Sequence, residues 1–210
     1  FNGLLRDPEV RAIFSLTGGR MPFSSLDLID YEAVRADPKP LLGFSDISTL
    51  HLALHARTGL VSLHSELVTY GFGEWNELDE TRRTELADLY LRVLTSDSAP
   101  GVLPPGRRWE CWHSGRAEGP LIGGLLNRLV RIQATPYSLS PERFDGAILF
   151  WEEVGTNTPA VWNDLHVLRL AGVLDRIAGM VVGTTEVELA EGPDTLREVV
   201  LDVLGERDIP

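Results

Sequence analysis

Short apolar runs alternate with longer stretches of helical spacing along this chain, the pattern of strands and covering helices. Residues 7–12 read as a helix opened by Asp7 and Pro8, a side-chain cap followed by a first-turn proline. A buried strand over 12–16 and a glycine turn at 17–20 follow. A short helix within 25–40 is ended by Pro38 and Pro40. Residues 41–45 form a brief apolar strand, 46–59 a helix closed by Gly59, and 60–65 another strand. An amphipathic helix over 79–96 carries Leu86, Leu89, Tyr90 and Val93 on one face, and a Pro/Gly-rich connector covers 97–108. Residues 119–137 read as a glycine turn entering an apolar helix. Strand (146–155), helix (159–177), strand (178–186) and helix (193–208) complete the pattern. The class is α/β with parallel sheets. The parts are 1–70, a connector at 71–117, and 118–210. Both outer parts read as incomplete, because Phe1 enters in mid-pattern and Pro210 stops where a strand is due.

Charge and cysteine content narrow the function. Nineteen basic against 31 acidic residues leave a net charge of −12, which opposes a nucleic-acid grip or an anionic membrane surface. The single cysteine, Cys111, excludes an internal disulfide framework and a multi-cysteine zinc site, and fits a reducing cytosol. No apolar run has the length of a membrane span.

The informative segment is residues 41–55. A serine hydroxyl is a poor nucleophile unless a base takes its proton and donors hold the developing oxyanion. Ser45 stands at the end of a buried strand, immediately before a helix, where open α/β sheets place their sites. The first free helix amides, beginning with that of Asp46, would face the reacting oxygen. The plain alternative is that Ser45 or Asp46 only caps the helix. Glu152 and Glu153 end a second strand, and since neighbours on a strand face opposite ways, at most one enters a shared site. His51 and His55 have the spacing of a metal pair but lack an intervening glutamate and a third ligand, so a packed helix face is expected and no metal or cofactor is assigned.

The segments SLTGGR (15–20), the run 28–54 with its Gly-Phe-Ser-Asp-Ile turn, GPLIGGLL (119–126), ATPY (134–137) and GAILFWEEVG (146–155) resemble the LD-carboxypeptidase family in content and order. That family comprises muramoyl-tetrapeptide carboxypeptidases and microcin C immunity proteins. The resemblance implies a flavodoxin- or glutaminase-like first part. It makes Ser45 the nucleophile, with the amide of Asp46 and an amide of Gly18–Gly19 as oxyanion donors. It selects Glu152 to orient a histidine, which in the family lies further along than Pro210, so the chain taken alone is expected to be inactive or nearly so. At His64 the chain reads LHSELV where relatives carry a His-Gly-Pro type sequence. Trp75, Trp109 and Trp112 are candidates to stack on a nucleotide, as a connector tryptophan does in the immunity branch, to which the chain leans. A small peptide or aminoacyl-nucleotide substrate, a homodimer and a cytoplasmic location are further implied, with no nucleic-acid or membrane partner. The competing classes are a non-catalytic α/β binding module and a glutaminase-like enzyme. The latter wants a cysteine at the elbow, and Cys111 lies in the connector.

Overall fold

The computed structural model describes residues 1–19, 23–102, 109–188 and 195–210. It is a mixed α/β structure with two parallel three-stranded sheets among the described residues. In the first sheet β1 (Ile13–Phe14), β2 (Leu41–Gly43) and β3 (Leu63–His64) lie in chain order, with α2 (Tyr31–Ala36) and α3 (Ser48–Thr58) in the two crossovers. Parallel neighbours need such crossovers, because a tight turn cannot reverse the chain between them. In the second sheet β4 (Leu121–Leu125), β5 (Ile148–Asn157) and β6 (Gly179–Glu188) are likewise in order. Here α5 (Leu126–Ile132) and α6 (Thr158–Leu170) connect the strands, and α7 (Leu196–Leu204) packs on α6.

Helix starts follow local chemistry. Asp30 caps α2 by accepting from Ala33 N–H, and Asn157 caps α6 by accepting from Ala160 N–H, both at 3.0 Å. Thr195 and Glu198 form a reciprocal capping box on α7. Gly59, in the left-handed region at φ 79°, closes α3. The fully buried side chains Leu42, Leu54, Leu126, Leu129, Leu149 and Trp151 draw on both sheets, and all but Leu42 belong to one continuous apolar cluster. α3 bridges the halves by packing on α5 and β4.

Two expectations are corrected. Residues 7–12 are not a helix; the helix lies just before them, as α1 (Asn2–Arg6), and Asp7 ends it. The Asp7 carboxylate does accept from Glu9 N–H at 2.9 Å, but in a turn that leads into β1. Residues 121–125, read as the entry to a helix, are strand β4. Two adjacent glycines hid it, and Gly124 lies so close to α3 that a Cβ there would sit 2.6 Å from Ser48 Oγ.

Between the halves, α4 (Glu80–Thr95) is amphipathic as expected, with Leu86, Leu89, Tyr90 and Val93 half-buried and no fully buried residue. The Pro/Gly connector is described only to Val102; residues 103–108, like Arg20 of the first glycine turn and residues 193–194, lie outside the described residues. No helix among the described residues is long and apolar enough to cross a membrane.

Candidate active site

β2 is buried along its length and ends at Gly43. Phe44 stays extended, and Ser45 then turns to φ 59°, the one non-glycine residue with positive φ among those described. A β-carbon in this left-handed region is strained, so the turn is held by its surroundings. Gly43 supplies space behind it: a Cβ there would lie 2.9 Å from Ser15 Oγ. A short 3-10 turn (Ser45–Ile47) runs directly into α3, so Ser45 is half-buried at the N-terminal end of a continuous helical run.

Gly18 packs on this serine. A Cβ at Gly18 would stand 3.0 Å from both Cβ and Oγ of Ser45, and Gly19 follows at φ 116°. The loop beyond β1 is fixed through Val68 N–H to Ser15 O and Thr69 N–H to Leu16 O, both 3.0 Å. On the expectation that Ser45 is the nucleophile, Gly18→Ala should slow its labelling at least about tenfold while shifting the thermal midpoint little. Labelling by a fluorophosphonate at the wild-type rate would contradict that expectation.

β5 brings its two carboxylates to different surroundings. A register shift between β5 and β6 sets Gly183 and Thr184 against Glu152 alone, since Trp151 pairs with Val182 but Glu153 with Thr185. Glu152 faces the first sheet: its Oε1 is 3.8 Å from His64 Nε2, and Ser45 N–H lies against its carboxylate. Burial, then the charge of Glu153, push the Glu152 carboxyl up to about 7, and the Ser45 N–H works against the rise. Glu153 turns to α5, where it accepts from Asn127 N–H and from Asn127 Nδ2, each at 2.9 Å.

The sequence alone assigns His64 no role, because nothing local says that the end of β3 meets the end of β5. The imidazole sits among Phe44, His51 and Phe150, with ring centroids 6.4, 6.5 and 5.2 Å away. Burial holds it down to about 4, so at neutral pH it is uncharged and its contact with Glu152 is not an ion pair. A ring held so far down is also a poor proton acceptor, which fits a wall of the site better than a general base. His51 and His55 diverge: His51 turns inward toward His64, while His55 meets Leu60 O and Arg143.

The tryptophans have unlike settings. Trp75 stacks on Phe72 at 5.9 Å, in a cluster with Phe14 and Tyr90 beside the C-terminal end of the first sheet. Trp112 is half-buried against the core and bonds Glu110 through Nε1, and Trp109 is 73% exposed. Asp46 is buried and paired with Arg128. Cys111 is exposed, and its thiol is in no disulfide.

An α/β protein with a strained serine turn between sheet and helix is the class that these features define. The chain belongs to the LD-carboxypeptidase family: it matches that family's N-terminal domain over residues 1–65 and its C-terminal domain over 118–210. It is 31% identical to a Vibrio cholerae protein provisionally named a carboxypeptidase, over 100% of this chain and 67% of that one. To the microcin C7 self-immunity protein MccF of Escherichia coli it is 28% identical over the same shares. To the murein tetrapeptide carboxypeptidase of Pseudomonas aeruginosa it is 33% identical over 70% of this chain and 47% of that one. Among solved structures, MccF in complex with aspartyl sulfamoyl adenosine superposes with a TM-score of 0.81 at 25% identity, covering 100% of this chain and 68% of that one. A muramoyltetrapeptide carboxypeptidase from Oxalobacter formigenes shares the fold, with a TM-score of 0.75 at 22% identity over 99% and 69% of the two chains. The chain thus spans about two thirds of its first relatives, whose family is one of hydrolases.

Proposed function

We propose that this chain carries the nucleophile and the acid of a metal-independent serine carboxypeptidase. Ser45 attacks the terminal amide of a small substrate, and amides of Asp46 and of the Gly18–Gly19 turn hold the oxyanion. Glu152 orients and charge-stabilises a histidine supplied from outside residues 1–210. The observation that carries this reading is the left-handed Ser45 at the junction of β2 and the helical run, with Gly18 against its hydroxyl and the Glu152 carboxylate against its amide. A helix cap alone does not account for it, since a cap sits comfortably in extended backbone without strain.

The substrate is proposed to be an aminoacyl-nucleotide or the L,D bond of a murein tetrapeptide. The aromatic cluster around Trp75 supports the first, because flat rings beside the sheet end suit a nucleobase. The division at 1–70, 71–117 and 118–210, a homodimer and a cytosolic location belong to the same proposal. Turnover of an L,D-tetrapeptide and of an aspartyl sulfamoyl adenosine by the full-length protein, which supplies the histidine, decides the substrate when the two are measured side by side. Cleavage of the nucleotide alone is the expected result. Cleavage of the tetrapeptide alone would move the chain to the murein branch, and cleavage of neither would remove both assignments.

A further inference from the structure

Each of the two site residues is followed by a carboxylate, and one helix holds both carboxylates. Asp46 follows Ser45, and Glu153 follows Glu152. Arg128 Nε donates to Asp46 Oδ1 at 2.5 Å, and Arg128 Nη2 pairs with the same oxygen. The preceding residue, Asn127, grips Glu153 from its backbone N–H and from its side-chain amide, both at 2.9 Å. Val154 N–H adds a third bond to Glu153 at 3.1 Å. Asp46 and Glu153 are each only 1% exposed, so these are desolvated, charge-assisted contacts rather than screened surface pairs.

We propose that Asn127 and Arg128 are positioning residues that fix the span between Ser45 and Glu152, an inference that rests on the peptidase reading above. The path runs from Ser45 to Asp46, across to Arg128, along the backbone to Asn127, across to Glu153 and back to Glu152. Every link is a peptide bond or a short hydrogen bond, and the middle link is the first turn of α5. Ser48 Oγ, at the start of α3, accepts from the N–H of Leu125, the last residue of β4, at 2.9 Å and adds a nearby tie. The serine comes from the first sheet and the acid from the second, so nothing within either sheet alone sets their separation. The adjacent pair on α5 links them across the gap, beside the contact of Ser45 N–H with Glu152 itself. Loss of either grip lets the elbow drift relative to β5 without altering surfaces that bind the rest of the substrate.

The expected signature is a fall in kcat with KM nearly unchanged. In the full-length protein, with the histidine in place, Arg128→Ala slows fluorophosphonate labelling of Ser45 and kcat together by about 10²-fold, the scale of an ångström's misplacement. Added guanidinium at millimolar concentration restores about a tenth of the lost rate, as a replacement for the missing fork. Asn127→Ser retains the backbone grip on Glu153 and lowers kcat by about tenfold, with a thermal midpoint close to wild type. Should Arg128→Ala fail to fold, Asn127→Ser tests the positioning role by itself. A folded variant that labels and turns over at the wild-type rate overturns the positioning role while leaving the peptidase reading intact. Wild-type protein that neither labels nor turns over overturns the peptidase reading, and this inference with it.

Discussion

Ser45→Ala in the full-length protein, with the proposed histidine in place, is expected to abolish fluorophosphonate labelling and to lower turnover by about 10⁶-fold, the scale seen when a nucleophile is deleted from an intact site. The hydroxyl is the only group lost, and the amides of Asp46 and of the Gly18–Gly19 turn remain. Stability provides an independent reading of the same position. At φ 59° any β-carbon is strained, so Ser45→Ala should leave stability nearly unchanged. Ser45→Gly should raise it by about 1 kcal/mol, or about 2–4 °C in the thermal midpoint of a domain this size. Equal labelling of wild type and Ser45→Ala would remove the nucleophile. A glycine variant less stable than the alanine one would remove the strain.

Glu152→Gln is the second change of large effect. An amide cannot charge-stabilise an imidazolium or hold it in the right tautomer, and in Ser-His-acid sites the same exchange costs about 10⁴-fold in kcat. The pH dependence follows from the carboxyl held up to about 7 by burial and by Glu153. Below that value Glu152 is protonated in residues 1–210, and a histidine held against it lowers the value, so activity in the wild type should rise with pH on the acid side of about 7. Stability runs the other way. The folded state keeps this proton between the ordinary carboxylate range and about 7, whereas the unfolded chain releases it, so the folded state loses stability as pH climbs through that interval. Glutamine removes that loss. The variant should be the more stable protein at about pH 8 and nearly equal to wild type at about pH 4, by thermal melts at both values. A variant less stable in the alkaline melt would show that the buried charge is compensated after all.

The sequence made the crossovers legible because each apolar run was bounded by a cap, a proline or a glycine, as at Gly59 and Pro38. It misled where one residue type served two purposes. Asp7 with Pro8 has the look of a helix start, yet its carboxylate stabilises a turn. Gly123 and Gly124 have poor strand propensity, yet β4 requires them: a side chain at Gly124 would strike α3, and one at Gly123 would strike β5. At the site, the serine turn and the twin glutamates were legible as local patterns. Their partners were not. Arg128 lies 82 positions from Asp46, and His64 meets Glu152 only because the ends of two separate sheets converge. The register shift opposite Glu152 left a trace, the glycine in the β6 run at Gly183, but a single glycine does not say which neighbour it accommodates.

The left-handed serine also says something about what folding requires at that corner. Glycine or asparagine would occupy that corner at lower free energy and leave the helix as well started. Serine at this corner therefore adds a hydroxyl that folding by itself does not call for.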